Sequence, residues 1–119
     1  MARILLAEDD DSMRAFLKRS LERAGHEVDA VGDGIDALAA LISQQFDLLL
    51  ADIVMPGLDG IELARRAAED DPHLRVVLIT GFAAVALRAN QEAPKGTQVL
   101  SKPIHLRELV AQVDDILAA

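Results

Sequence analysis

Short apolar runs and stretches of helical periodicity alternate along this chain. Arg3-Ile4-Leu5-Leu6-Ala7 is continuously apolar after its first residue, the pattern of a strand buried on both faces. From Ser12 to Ala24 the set Met13, Phe16, Leu17, Leu21 and Ala24 follows 3.6-residue spacing. Asp10, Asp11 or Ser12 can cap that helix and Gly25 can stop it. Glu27 to Val31 predicts a second, shorter strand, and Asp33-Gly34 leads into a helix with Leu38, Leu41 and Ile42 inside. Phe46 to Ala51 predicts the third strand. Asp59-Gly60 then precedes a helix carrying Ile61, Ala64 and Ala68, ended by Asp71-Pro72. Arg75 to Ile79 predicts the fourth strand and Phe82 to about Glu92 a weaker, alanine-rich helix. Pro94-Lys95-Gly96 breaks the chain before a fifth strand, Thr97 to Ser101. His105 to Leu117 predicts the last helix, with Leu106, Leu109, Val110, Val113 and Leu117 on one stripe.

Five β–α units with no repeat, linker or low-complexity segment argue for one α/β domain over residues 1–119. Unalternated apolar strands call for a parallel sheet covered by helices on both faces, joined by right-handed crossovers. Five strands are too few for an eight-stranded barrel. The expectation is a three-layer, doubly wound (βα)5 sandwich with the flavodoxin-like strand order 2-1-3-4-5.

Composition narrows the function classes. Of 119 residues, 51% are apolar but only Phe16, Phe46 and Phe82 are aromatic, so the core must be aliphatic. The absence of cysteine excludes disulfides and thiolate metal sites, and fits a cytoplasmic location. The apolar start, Ile4 to Ala7, is too short for a secretory signal, and no apolar stretch is long enough to insert in a membrane. A net charge of −8 without a basic cluster argues against nucleic acid as a partner.

The charged strand ends carry the chemistry. The first strand ends at Glu8-Asp9, the third at Asp52, the fourth at Thr80 and the fifth just before Lys102. In an open α/β sheet, ligands bind at the carboxyl edge of the strands. Each of these residues alone is ordinary: acids cap helices, and Asp and Lys-Pro sit in turns. Their joint placement is not. Three carboxylates gathered at one edge repel one another, and a hard divalent cation relieves that. Mg²⁺ binds through one or two carboxylates, waters and a phosphate oxygen, whereas zinc would want Cys or paired His ligands. A carboxylate can also act as a nucleophile towards phosphorus, giving an aspartyl phosphate. Such transfer needs mainly positioning and neutralised charge, which the cation, Lys102 and the Thr80 hydroxyl can supply.

On these residues the chain resembles the receiver domain of bacterial two-component response regulators. The resemblance spans essentially the whole sequence and is carried by Glu8-Asp9, Asp52 with Met55-Pro56-Gly57 and Asp59-Gly60, Thr80, and Lys102-Pro103. It implies that Asp52 accepts a phosphoryl group from a phosphohistidine on a histidine kinase or phosphotransfer protein. Asp9 and Asp52 would ligate Mg²⁺ with the backbone carbonyl of Val54, and Glu8 would act mostly through a bound water. Thr80 and Lys102 would bind the phosphoryl oxygens, and the Lys102–Pro103 bond would be cis. Two departures stand out. Val99 occupies the strand-5 position where many receivers carry a switching aromatic residue, and Gly81 follows Thr80 and loosens the next loop. The switch is therefore expected to change loop order more than one rotamer.

The last predicted helix ends at the chain's end, so no output domain is expected and the output should be a protein contact. In this the chain resembles CpdR-type stand-alone receivers, which implies an adaptor for the ClpXP protease whose unphosphorylated form is active. Leu117-Ala118-Ala119 also resembles C-terminal tags that such proteases read. Phe82, Val85, Leu87, Val99 and His105 are candidates for the output surface, although Phe82 and Val85 fit a core role equally well. The alternative within signalling is a phosphorelay intermediate that passes phosphate on to a histidine phosphotransfer domain. An aspartyl-phosphate phosphatase would want a second acid two residues after Asp52, where this chain has Val54. A flavodoxin-like electron carrier would want Trp or Tyr to stack on a flavin, and the chain has neither. His26, His73 and His105 have no evident partner and are expected to be solvated.

Overall fold

In the computed structural model, which describes residues 2–119, all five expected strands form one parallel sheet. The strands are β1 (Arg3–Ala7), β2 (Glu27–Val31), β3 (Leu48–Asp52), β4 (Arg75–Thr80) and β5 (Gln98–Ser101), in the order β2-β1-β3-β4-β5. The helices α1 (Asp11–Arg23), α2 (Gly34–Ser43), α3 (Gly60–Asp70), α4 (Ala83–Glu92) and α5 (Leu106–Ala118) alternate with them. This is the expected doubly wound fold.

The sheet divides the core in two. Leu5, Leu49 and Leu78 face α2, α3 and α4, where Ala37, Ile61, Leu63, Ala64 and Ala89 are buried. Ile4, Leu6, Leu50 and Ile79 face α1 and α5, meeting Leu17, Leu21, Leu109 and Val113. β3, in the middle, is buried along its whole length. That explains its unbroken apolar run: both faces are covered, so no position is left for a polar residue until the strand ends.

The helices that follow β1, β2 and β3 start alike. The side chains of Asp10, Asp33 and Asp59 accept from the backbone N–H groups of Met13, Asp36 and Glu62. Each removes one orphan donor from a first turn and sets a negative charge at the positive end of the helix dipole. α4 and α5 lack such a side-chain cap, and Phe82 and His105 stand at their cap positions. Gly60 lets α3 turn back against the strand it came from. A Cβ there would lie 2.6 Å from the Asp52 carbonyl oxygen, and the Gly60 N–H donates to the Ile53 carbonyl at 2.8 Å.

Several expectations need correction. Phe16 and Ile42 fit helical spacing but are 58% and 72% exposed. The buried stripe of α1 is carried by Leu17 and Leu21, with Phe16 on its flank. Phe82 is 62% exposed, while Val85 is half-buried against the α2–α4 core. β3 starts at Leu48, because Phe46 leaves the ladder to pack under the Arg3 guanidinium and the Asp47 carboxylate accepts from the Arg3 N–H. His26 is not solvated. Its side chain is 8% exposed, its Nε2 pairs with Asp114 Oδ1 at 2.7 Å and its Nδ1 accepts from the Ala2 N–H.

Candidate functional site

Strand register brings the charged residues together. Ala7 pairs with Ala51 and Asp52 with Ile79, so Glu8, one step past β1, comes level with Asp52. Thr80 pairs with Ser101, and Lys102 follows one step beyond. Four adjacent strands thus end in a stair of functional side chains at the carboxyl edge. Glu8, Asp52 and Thr80 are the buried polar residues of the core, at 2%, 7% and 1% exposure. The expected gathering of Glu8, Asp9, Asp52, Thr80 and Lys102 at one rim is found.

Each group has definite partners. Lys102 Nζ donates to Asp52 Oδ2 at 2.8 Å and lies 3.5 Å from Glu8 Oε1. The Val54 N–H donates to Asp52 Oδ1 at 3.3 Å. Val54 is therefore folded against the acid two residues before it, while its side chain is exposed. Glu8 Oε2 accepts from the Asp10 N–H at 3.1 Å. The Thr80 hydroxyl oxygen accepts from the Phe82 N–H at 3.2 Å, and the Thr80 carbonyl accepts from the Lys102 N–H at 2.9 Å. The Lys102–Pro103 bond is cis, as the resemblance implies.

Asp9 is exposed, yet one carboxylate oxygen each from Glu8, Asp9 and Asp52 lies within 4.8 Å of the others. Three carboxylates against one ammonium leave the cluster two negative charges when all are ionised. The site shows that strain. Burial, more than any other cause, pushes the Glu8 carboxyl above its ordinary range; the Asp52 charge adds to it, against the Asp10 N–H and Lys102. For Lys102 burial acts to lower the amine. Its hydrogen bond to Asp52 and the charges of Asp52 and Glu8 outweigh burial and hold it above its ordinary value. The donor set fits Mg²⁺: hard oxygen ligands, two uncompensated negative charges, and no sulfur or imidazole in the cluster.

Of the switch and output candidates, Gly81, Phe82 and His105 lie near the same rim, on the β4–α4 and β5–α5 sides, whereas Val99 sits within β5. Gly81 and Phe82 follow Thr80 and are exposed, and a Cβ at Gly81 would sit 3.8 Å from Lys102 Cβ. Val99 is half-buried in β5, paired with Leu78. His105 is exposed at the start of α5. The sequence reading missed Arg14. Its Nη1 donates to the Glu8 carbonyl at 2.9 Å, behind the acidic pair. The available signal was a basic residue one turn into a helix whose first turn is acidic.

Comparison with known proteins agrees with this geometry. The family described as response regulator receiver domain matches residues 4–114. The response regulator receiver protein CpdR of Brucella abortus is 56% identical over 119 residues, covering 100% of this chain and 99% of CpdR. The chain spans only 44% to 50% of other, longer regulators that it matches at 34% to 36% identity. A response regulator receiver protein from Sinorhizobium medicae superposes with a TM-score of 0.91 at 33% identity, covering 98% of this chain and 94% of that one. The response regulator TrrA of Thermotoga maritima, solved in complex with Mg²⁺ and a beryllium fluoride, gives a TM-score of 0.87 at 28% identity, with 98% and 99% coverage.

Proposed function

The chain belongs to the response regulator receiver domain family, and from that premise we propose that it is a single-domain response regulator whose binding partners change when Asp52 is phosphorylated. The observation that carries this reading is the buried Asp52 carboxylate, gripped by Lys102 at 2.8 Å and flanked by two further acids. A carboxylate buried beside a cation-binding donor set is suited to nucleophilic attack on phosphorus.

The chemistry follows from the partners. One Asp52 oxygen attacks the phosphorus of a phosphohistidine on a histidine kinase or phosphotransfer protein. The P–O bond forms as the P–N bond breaks, and the imidazole nitrogen keeps the electron pair. Glu8, Asp9 and Asp52, with the Val54 carbonyl, are the groups that would hold Mg²⁺, Glu8 through a bound water; the ion supplies positive charge beside the transferring oxygens. Lys102 turns from its hydrogen bond to Asp52 and its ion pair with Glu8 to a phosphoryl oxygen. The Thr80 hydroxyl, which now only accepts from the Phe82 N–H, still has its proton to give to another. Asp52 becomes an acyl phosphate, a mixed anhydride carrying a dianionic phosphoryl group in the same pocket, and attack by water breaks the new bond, restores the free carboxylate and releases inorganic phosphate. The chain acts as substrate of this transfer rather than as an enzyme on a separate molecule.

Output runs through Thr80. Turning its hydroxyl towards a phosphoryl group loosens the bond to the Phe82 N–H, at the uncapped start of α4. Gly81 lets that turn rearrange, and no aromatic residue at Val99 has to move with it. The exposed Phe82 and Leu87, with His105 across the rim, then present a different surface to a protein target. Similarity to CpdR supports a target in the ClpXP protease machinery, bound by the unphosphorylated form.

A pull-down from cell extract with the wild-type chain, with and without Mg²⁺ and beryllofluoride, tests this. The proposal expects a protein retained in one state and released in the other, with the difference lost in Asp52→Asn. Identical retention in both states would contradict it. A radiolabelled phosphate chase decides between a binding switch and a relay: label retained on Asp52 or released as phosphate supports the switch, whereas rapid transfer to a second histidine protein supports the relay.

A further inference from the structure

α1 opens with Asp10 as its cap and Asp11 in its first turn, and Arg14 is the first basic residue of the helix. The guanidinium reaches back along the helix rather than out to solvent. Nη1 donates to the Glu8 carbonyl at 2.9 Å and Nη2 to Asp11 Oδ1 at 2.6 Å. The same group lies along the β2–α2 loop, where a Cβ on Gly32 would stand 3.4 Å from Nη1. Arg14 thus joins three segments: the β1–α1 loop, the first turn of α1, and the loop after β2.

The first of these segments carries the acidic pair. The Glu8 N–H is held by the Val31 carbonyl at 3.1 Å, and the Glu8 carboxylate by the Asp10 N–H. The Glu8 carbonyl, held by Arg14, is the remaining backbone polar group of that residue. A peptide unit is planar, so fixing this carbonyl also fixes the N–H and the Cα of Asp9, the point from which its exposed side chain leaves the loop. A planar guanidinium can hold a carbonyl and a carboxylate at once; an ammonium has no such fork. The bonds of Arg14 go to the Glu8 backbone and to Asp11, not to the carboxylates of Glu8, Asp9 or Asp52.

We propose that Arg14 is a positioning residue for the cation site, aiming the Glu8-Asp9 pair at Asp52. The inference rests on reading the pocket as a Mg²⁺-dependent phosphoacceptor site. It has a consequence opposite in sign to plain electrostatics. Removing a positive charge beside an acidic cluster should tighten cation binding by Coulomb attraction alone. Losing the orientation of two ligands should weaken it.

The test compares Arg14→Gln and Arg14→Lys with the wild-type chain. Binding is read as the rise of Tm along a Mg²⁺ titration, and separately as broadening of amide NMR signals by Mn²⁺. Asp52 labelling by acetyl phosphate is followed at the same Mg²⁺ concentrations. Arg14→Gln should weaken Mg²⁺ about tenfold and Arg14→Lys less, with labelling at saturating Mg²⁺ within about twofold of wild type, as expected when a residue orients ligands without being one. Tighter or unchanged binding in Arg14→Gln overturns the proposal. A lower Tm with an unaltered Mg²⁺ constant also overturns it, because that is the signature of a purely structural role. If Arg14→Gln does not fold, Gly32→Leu crowds the guanidinium while keeping every charge; weaker Mg²⁺ binding then supports the proposal and unchanged binding refutes it. A wild-type chain that shows no response to Mg²⁺ removes the parent reading of the site instead.

Discussion

Replacing Lys102 with methionine keeps most of the side chain's length and removes the ammonium that faces both Asp52 and Glu8. At an effective dielectric of 20, charges 2.8 Å and 3.5 Å apart attract by about 6 and about 5 kcal/mol. Most of that is cancelled by desolvation, and the Lys102 side chain is 29% exposed, so solvent screens the remainder. Breaking a fully buried pair costs about 3–5 kcal/mol; for this half-wet one we expect about 2 kcal/mol at neutral pH without a divalent cation. In a chain of this size that lowers Tm by roughly 6–12 °C. Cation binding should move the other way. Even in bulk water, a divalent ion and a unit charge 4 Å apart repel by about 2 kcal/mol, so the variant should bind Mg²⁺ at least about tenfold more tightly. Mg²⁺ should then recover much of the lost stability, while Asp52 labelling falls because the second cation on the phosphoryl group is gone. Thermal melts across a Mg²⁺ titration, with labelling on the same samples, read all three effects. Unchanged or weaker Mg²⁺ affinity would refute the reasoning, since it would mean Lys102 does not share its field with the carboxylate cluster.

Glu8→Gln should stabilise the cation-free chain at pH 7. The Glu8 carboxyl is raised in the folded state, so its contribution to stability is fully present below the ordinary 4.5 and is lost as pH climbs through the folded value. The variant copies the protonated form, and its advantage in denaturant melts should vanish below about pH 4.5; a constant advantage at all pH values would contradict the charge argument. Gly60→Ala should cost about 1–3 kcal/mol, because its Cβ would stand 2.6 Å from the Asp52 carbonyl oxygen and backbone must move. Since the displaced backbone belongs to Asp52, labelling at a temperature where the variant is fully folded should also fall; wild-type labelling would show that the strand end tolerates the shift.

Much of this molecule was legible in its sequence because its central strands, β1, β3 and β4, are buried on both faces. The unbroken apolar run of β1 gave that strand its observed bounds, and such runs in β1, β3 and β4 pointed to the parallel topology. They also set the charged residues at strand ends, and register did the rest. Placement on the helices was less legible. Spacing could not separate the buried face of α1 from its flank, so Phe16 read as core, and Ile42 did likewise at the end of α2. The pairing of His26 with Asp114 spans 88 residues and follows from how α5 crosses the start of the sheet. Arg14 was missed for a related reason. Its role lies in a contact with a backbone carbonyl, and a carbonyl leaves no mark on the sequence.

The account stands most directly on where phosphate goes. The wild-type chain, exposed to a phosphodonor with Mg²⁺ and digested after reductive trapping, should carry a single modification at Asp52. Chelation of the cation should abolish it, and Asp52→Asn should remain folded and unlabelled. Label on another residue, or labelling that survives in Asp52→Asn, would contradict the central claim.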